Sequence, residues 1–491
     1  MKRRTFLATG AAFVSVGRVL GQGIAIPPPG VKRLTIGILS DIHVTTPKSA
    51  DTFRAALAYF DSRKVDGVLV CGDLADHGIS SQLQNVADAW FSVFKNNRRS
   101  DGEPVVNLIH FGDHDMGGYM TKHVPGYAAH KASFDAQEIP RNNPGAIWKR
   151  CFGEEWAPIQ VKTVKGYTFV LAHHQLDTEA NARGNTVLGA VDALAQLKVD
   201  PQKPFFYSQH RIFRDTVGGS GTWGQDSGVV GAALARYPNC VAFCGHGHLL
   251  ANDERNLWQG AYTAIEVPSL RYLLYHAGRE NGFSLHDFSS TINNRGTKVS
   301  VPQQTQMDHR QLNDAHQGYV MEVYDDRLVL ERRDFAHAGE EVAPPWIIPL
   351  VKGCGDGSMS FARRAARAVA PEFPANAQLT ARAVDGKNAA GKATRQIEVA
   401  FPAARSTSTT PRAMDYEVTA RVIKEDVERI VSQKRVYSWN ASLAECRDTA
   451  PVTCRFAMSE LSAIRDRLKF TAVPLNEWGQ RGRAIELTTK L

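Results

Sequence analysis

Along the first 350 residues, short apolar runs alternate with amphipathic stretches. LTIGILS (34–40), GVLVCG (67–72) and VVNLIHFG (105–112) are rich in aliphatic and β-branched residues, the pattern of buried strands. Between them lie SADTFRAALAYFDSRK and SQLQNVADAWFSVFKNN, whose apolar residues recur at helical spacing. The series predicts a β-α-β region with a largely parallel sheet. GYVMEVYDDRLVLERRDF (318–335) predicts a hairpin turning at Asp325-Asp326, and WIIPL (346–350) closes the region.

Beyond Leu350 the texture changes. GCGDGSMSF is a glycine-rich joint, and ARRAARAVAPEFPANA predicts a short helix ending at a proline-marked boundary. From about residue 375 come seven short strand-like runs: AQLTARAV, RQIEVAFP, YEVTARVI, RVYSWN, CRFAM, LKFTAVPL and RAIELTT. Strands at this spacing predict a small antiparallel sandwich. The last of them, in LKFTAVPLNEWGQRG, resemble the closing hairpin of a fibronectin-III-like module. RSTSTTPR reads as an exposed loop. At 491 residues the chain has length for two or three domains.

The ends of the apolar runs carry the chemistry. Asp41 and His43 stand in SDIH, Asp73 in GDLAD, Asp113 in GDHD, His210 in SQH, and His246 and His248 in GHGH. Oxygen and nitrogen donors in this mixture suit two hard or borderline divalent ions, roughly 3.5–4 Å apart, with one bridging carboxylate. Residues i and i+2 of an extended strand face one way, so Asp41 and His43 could reach one ion, and His246 and His248 likewise. Functional groups of open α/β sheets collect beyond the carboxyl ends of strands, where all these motifs fall. A lone histidine such as His210 says little by itself. It gains weight because PFFYSQH reads as a strand running to it, between GDHD and GHGH. His173 and His174 read as structural or near the site, His77 as a supporting residue and His110 as part of a strand.

In this order the motifs resemble those of calcineurin-like metallophosphoesterases, within the purple-acid-phosphatase-like superfamily, over roughly Lys32 to Leu350. The resemblance implies a four-layer α/β/β/α sandwich, followed here by the small all-β sandwich. It implies one metal held by Asp41, His43, Asp73 and His248, and a second held by Asp73, Asp113, His210 and His246, with Asp73 bridging. The ions would be two divalent or mixed-valence metals (Mn, Fe or Zn). A water or hydroxide between them would be the nucleophile. His114 would protonate the leaving group, and Asp115 would orient His114. One position departs from the pattern: Asp113 stands where the family usually has Asn. Its added charge should bind the second ion more tightly, weaken both ions as Lewis acids and repel an incoming phosphate.

The N-terminus, MKRRTFLATGAAFVSVGRVLGQG, sets Arg3 and Arg4 before a mildly apolar stretch and resembles a twin-arginine export signal spanning about residues 1–25. Cleavage is expected between Gly21 and Ala25, giving a periplasmic or secreted protein with no membrane span in the mature chain. The organisation expected is therefore signal 1–25, catalytic region 32–350, linker 351–374 and sandwich 375–491. Of seven cysteines, Cys446 and Cys454 flank a turn-rich stretch and form the best disulfide candidate in an oxidising compartment. No close-set Cys-x-x-Cys suggests a cysteine zinc site.

The net charge of +8 sits entirely in residues 351–491, which hold 23 Lys and Arg against 15 Asp and Glu. Without the signal, the catalytic region is therefore negative before metals bind. A nuclease groove would be basic, which argues against long nucleic acid as substrate. The basic module could touch anionic envelope surfaces, although its charges are scattered. Substrate choice should come from loops over the metals. Candidates are RDTVGGSGTWGQDSG, with Trp223, and the stretch 285–318. The leading reading is an exported enzyme acting on phosphomonoesters or small phosphodiesters. The alternatives are a nuclease or phospholipid-cleaving enzyme, and an envelope binding protein whose catalytic site has fallen silent.

Overall fold

A computed structural model describes residues 30–117, 124, 126–133, 139–175, 189–218, 224–275, 310–313, 315–350, 356–387, 391–404, 412–438, 450–461 and 467–490. The expected signal, Cys354, Cys446 and Trp223 lie outside the described residues, as does most of the 285–318 stretch.

The N-terminal region is built from β1 (Lys32–Leu39), α1 (Asp51–Ser62), β2 (Gly67–Cys71), α2 (Ser80–Val93), β3 (Val106–His110), α3 (Asp113–Gly117), α4 (Tyr127–Ser133) and α5 (Pro144–Phe152). There follow β4 (Ile159–Val164), β5 (Tyr167–Ala172), α6 (Ala190–Gln196), β6 (Phe205–Ser208), α7 (Val229–Leu234), β7 (Cys240–Cys244), β8 (Leu257–Gln259) and β9 (Thr263–Glu266). Then come β10 (Leu273–Tyr275), β11 (Arg310–Leu312), β12 (Gln317–Tyr324), β13 (Arg327–Asp334) and β14 (Glu340–Pro349).

Two six-stranded sheets form, in the orders β14-β13-β12-β1-β2-β3 and β4-β5-β6-β7-β9-β8. Strands β1, β2 and β3 pair in parallel, as do β5, β6, β7 and β9. The β12–β13 hairpin turns at Asp325-Asp326, where the sequence pattern put it.

The buried side chains sort into layers. Ile36, Ile38, Leu69 and Leu108 of the first sheet meet Phe169, Leu171, Phe206 and Phe243 of the second in one core between the sheets. On the outer face of the first sheet, Val68 and Val70 pack with Phe53 and Phe60 of α1, Trp90 of α2 and Trp148 of α5. On the outer face of the second, Phe205, Tyr207 and Ala242 pack with Leu194 of α6 and Val230 and Leu234 of α7. Strands covered on both faces are mostly apolar, and these are, apart from a few buried polar residues such as Thr35, Asn107 and His110. The result is the expected α/β/β/α arrangement.

A buried ionic knot ties these layers to the next segment. Glu254, 3% exposed, pairs with Arg332 of β13 at 2.7 Å and with Arg364 of α8 (Phe361–Ala365), and accepts the Trp346 Nε1–H at 2.9 Å. Arg332 also lies over the Trp346 ring, 4.5 Å from its centre. Removing one member leaves the others charged in a dry site. Glu254→Ala should therefore cost about 3–5 kcal/mol. Urea denaturation monitored by tryptophan fluorescence measures this; an unshifted midpoint would refute it.

The C-terminal region contains β15 (Thr380–Lys387), β16 (Ala393–Phe401), β17 (Asp415–Lys424), β18 (Val427–Tyr437), β19 (Val452–Ala457), β20 (Arg467–Leu475) and β21 (Ile485–Thr489). Each overlaps one of the seven strand-like runs. They form two antiparallel sheets, β15-β16-β19 and β18-β17-β20-β21, around one apolar core. The tight β17–β18 turn places Glu425 and Asp426 at φ 50° and 63°, the left-handed pair that a two-residue hairpin demands. Cys454 carries a free, buried thiol on β19. Among the described residues, no helix is long and apolar enough to cross a membrane.

Candidate metal centre

All seven ligand candidates lie just past strand ends. Asp41 and His43 follow β1, Asp73 follows β2, Asp113 follows β3, His210 follows β6, and His246 and His248 follow β7. Each sheet sends its parallel strands' carboxyl ends to one shared edge, and all seven side chains are buried there.

The extended i, i+2 geometry expected for Asp41/His43 and His246/His248 is not what brings them together. Asp41, His43, Asp73, His246 and His248 all adopt positive φ, at 52°, 43°, 53°, 75° and 54°. The chain turns off each strand through left-handed residues, which costs roughly 1–2 kcal/mol apiece for residues with a Cβ. The loops compensate by bonding to each other. The Asp41 and His43 amides donate to the Gly72 and Asp73 carbonyls at 3.1 and 2.9 Å. The His246 amide donates to Asp41 Oδ2 at 3.0 Å.

Two glycines permit this approach. A Cβ on Gly72 (φ 89°) would stand 2.7 Å from the Gly112 Cα, and one on Gly112 would fall on the Asp73 amide and carboxylate. Gly112→Ala should therefore displace Asp73 and weaken metal binding by about tenfold or more. Metal titration of the folded variant checks this, and wild-type affinity would refute the packing argument.

The donor atoms form two groups. In the first, His248 Nε2 is 3.1 Å from Asp41 Oδ1 and 3.4 Å from His43 Nε2. In the second, His210 Nε2 is 3.2 Å from Asp113 Oδ1 and 3.2 Å from His246 Nδ1. Asp73 Oδ2 lies between them, 3.6 Å from His43 Nε2 and 3.2 Å from His210 Nε2. The sequence motifs thus converge on one place, with the carboxylate expected to bridge in the middle.

Several features make the residues fit two cations. His210 Nδ1–H donates to the Cys71 carbonyl at 2.7 Å, and His248 Nδ1–H to the Tyr272 carbonyl at 3.0 Å. His43 Nδ1–H donates to Asp76 Oδ1 at 3.1 Å. With the proton on Nδ1, each Nε2 turns a lone pair inward, as a ligand must. Asp41 Oδ2 accepts from the Ser40 hydroxyl at 2.5 Å, while buried Asp41 Oδ1 accepts no hydrogen bond. Burial pushes the Asp41 carboxyl up, but His248, His43 and His210 outweigh it and hold the group well below the carboxylate range. Burial likewise pulls His43 down, yet Asp41, Asp76 and Asp73 raise it to about 10. A field that strongly holds a proton there also holds a metal cation.

His114 sits at the edge of the centre and is partly exposed. Its amide donates to Asp73 Oδ1 at 2.9 Å, and its ring Nε2 is 3.9 Å from Asp73 Oδ2. The expectation that Asp115 orients this ring needs correction. The Asp115 carboxylate instead accepts the amides of Leu74, Ala75 and Gly112 at 3.1, 2.8 and 2.8 Å. It stitches the Asp73 loop to the Asp113 loop. The ring is oriented by the Asp76 carbonyl, which accepts His114 Nδ1–H at 2.7 Å.

Three neighbours were missed in the sequence. Asp76 was visible as the last residue of GDLAD. Arg211, beside His210, places Nη2 2.7 Å from Asp113 Oδ2. Tyr272 packs against His248, with ring centres 4.3 Å apart; nothing local marked it. His110, His173 and His174 are buried among structural partners. His173 is wedged among Phe111, Trp148 and Trp156, and its Nδ1 accepts the Phe111 amide. His110 Nε2 lies 2.7 Å from the Ser208 hydroxyl, and His174 is buried.

Residues 34–250, which hold all seven ligand candidates, match the family model of calcineurin-like phosphoesterases. No curated protein matches the chain. Among solved structures, it is similar to a dimetal phosphatase from Danio rerio (11% identity, 65% of this chain and 100% of that one, TM-score 0.34). It is also similar to GAP50, the anchor in the inner membrane complex of Plasmodium (13%, 69% and 96%, 0.36). A third is a conserved uncharacterized protein (predicted phosphoesterase) from Streptococcus pneumoniae TIGR4 (12%, 64% and 97%, 0.26).

Proposed function

We propose that this calcineurin-like phosphoesterase domain works as a dinuclear-metal hydrolase of phosphomonoesters or small phosphodiesters, in a protein exported through a twin-arginine-type signal. The observation that carries the reading is the shared position of Asp73 Oδ2 between two groups of inward-turned donors. In this reading Asp41, His43, Asp73 and His248 hold one ion, and Asp73, Asp113, His210 and His246 hold the other. Mn, Fe and Zn all suit such oxygen and imidazole donors. Bound there, the ions would supply Lewis acidity and a water of lowered pKa.

The chain's own groups do the rest. The buried loops fix the donors before substrate arrives. His114, partly exposed at the edge of the centre, gives a ring proton from Nε2 to the leaving oxygen as the P–O bond breaks. The neutral ring that remains keeps its Nδ1–H on the Asp76 carbonyl. Asp115 acts one step back, by holding the loops that carry Asp73 and Asp113. Residues 375–491 form a separate β module in this organisation.

Hydrolysis of an aryl phosphomonoester and an aryl phosphodiester tests the reading, with added Mn²⁺, with Zn²⁺ and after chelation. Metal-dependent turnover of either ester is expected, and the ratio of the two defines the substrate class. A protein that binds two ions per chain yet turns over neither ester would refute it.

A further inference from the structure

Asp113 brings a third carboxylate to the centre, beside Asp41 and Asp73. Its two oxygens face different ways. Oδ1 looks into the second donor group, 3.2 Å from His210 Nε2 and 3.5 Å from His246 Nδ1. Oδ2 looks out, 2.7 Å from Arg211 Nη2. The contact is a close ion pair without hydrogen-bond alignment, so charge is its main content. The backbone that carries Arg211 is held in place. Buried Gln209 donates to the Arg211 carbonyl at 2.9 Å and to Asp226 Oδ2 at 2.9 Å, and the Asp226 amide bonds to the Ile212 carbonyl.

We infer that Arg211 compensates the charge of Asp113, so that Asp113 offers the second metal one oxygen while the pair shows an incoming phosphate ester no net charge. This rests on the phosphoesterase reading above. It revises the expectation that Asp113 repels substrate and blunts the metals, because that expectation counted the carboxylate without its cation. A pair of opposite charges within contact presents little field a few ångströms away, whereas a lone buried carboxylate presents its full charge. Arg211 is thus a positioning residue. It acts through Asp113 and needs no contact with substrate.

The test is a double-mutant cycle with two readouts, calorimetric titration with Mn²⁺ and steady-state hydrolysis of aryl esters. Arg211→Met should keep or tighten the second Mn²⁺, because a bare carboxylate then faces it. The same variant should raise KM for the monoester by about tenfold or more, and for the singly charged diester by less, since repulsion scales with substrate charge. Asp113→Asn should weaken the second Mn²⁺ by about tenfold, because the unopposed guanidinium then repels it. The double variant, with both charges gone, should return close to wild type in both readouts. Arg211→Lys, which keeps the charge, should fall between wild type and Arg211→Met, and it carries the test if Arg211→Met does not fold.

Purely additive effects in the double variant would overturn the inference. So would a weaker second Mn²⁺ in Arg211→Met. Failure of the phosphoesterase reading looks different: wild type would hydrolyse neither ester, and the Mn²⁺ titrations would still decide whether the two charges compensate.

Discussion

Asp73→Asn is expected to bind at most one metal per chain and to lose about 10³-fold or more in turnover, the largest loss for any change of one ligand atom. The reason is geometric. Asp73 Oδ2 is shared between the groups, 3.6 Å from His43 Nε2 and 3.2 Å from His210 Nε2, closer to the second group than Asp41 Oδ1 comes. An amide there either turns its NH₂ toward the cations or offers a neutral oxygen. Neither replaces a negative charge that offsets two adjacent positive ones. Asp73 Oδ1 also accepts the His114 amide at 2.9 Å, so the same substitution loosens the loop that carries the proposed acid. Asp41→Asn makes the control. Its Oδ1 belongs to the first group and is 3.9 Å from His210 Nε2, so that variant should lose the first ion and keep the second. Elemental analysis of both variants, beside ester hydrolysis, checks the pair. Two ions per chain in Asp73→Asn, with turnover within a few-fold of wild type, would rule out a bridging role.

The sequence made the scaffold readable because burial imposes a pattern on it. Strands β1, β2 and β3 are covered on both faces, so their runs are dominated by apolar residues, with only isolated polar ones such as Thr35, Asn107 and His110 among them. The β12–β13 hairpin and the seven C-terminal strands were marked by turn residues at each end. The ligand candidates were marked by the order of their motifs, and that order survives whatever path the loops take. What the sequence hid depends on that path. Asp41 and His43 looked like two residues on one face of a strand, yet both sit in left-handed turns beyond it. Their convergence comes from hydrogen bonds to the Gly72 and Asp73 carbonyls, some 30 residues away in sequence. Asp115 was assigned to the nearest histidine, but its acceptor oxygens meet three amides from two loops. Arg211 was hidden for the same reason. Its partner Asp113 lies at the end of another strand in the other sheet, and an arginine beside a histidine carries no mark of what it faces. Sequence spacing thus identifies which groups are present. The contacts among loops decide what each group touches.

His114→Ala should show how the leaving group is released. A general acid contributes about 10²–10⁴-fold, and its share grows with the basicity of the oxygen it protonates. A nitrophenolate leaves readily without a proton, whereas an alkoxide does not. The variant should therefore lose about 10²-fold on a nitrophenyl ester and approach 10⁴-fold on an alkyl ester. Both ions should be retained, because the ring lies outside the two donor groups, with its Nδ1–H on the Asp76 carbonyl and its Nε2 3.9 Å from Asp73 Oδ2. Asp115→Asn should behave otherwise. It disturbs amides that position Asp73 and Asp113, so it should lower metal affinity and affect both esters alike. Equal losses on nitrophenyl and alkyl esters in His114→Ala would remove His114 from proton transfer and leave it a binding residue at the edge of the centre.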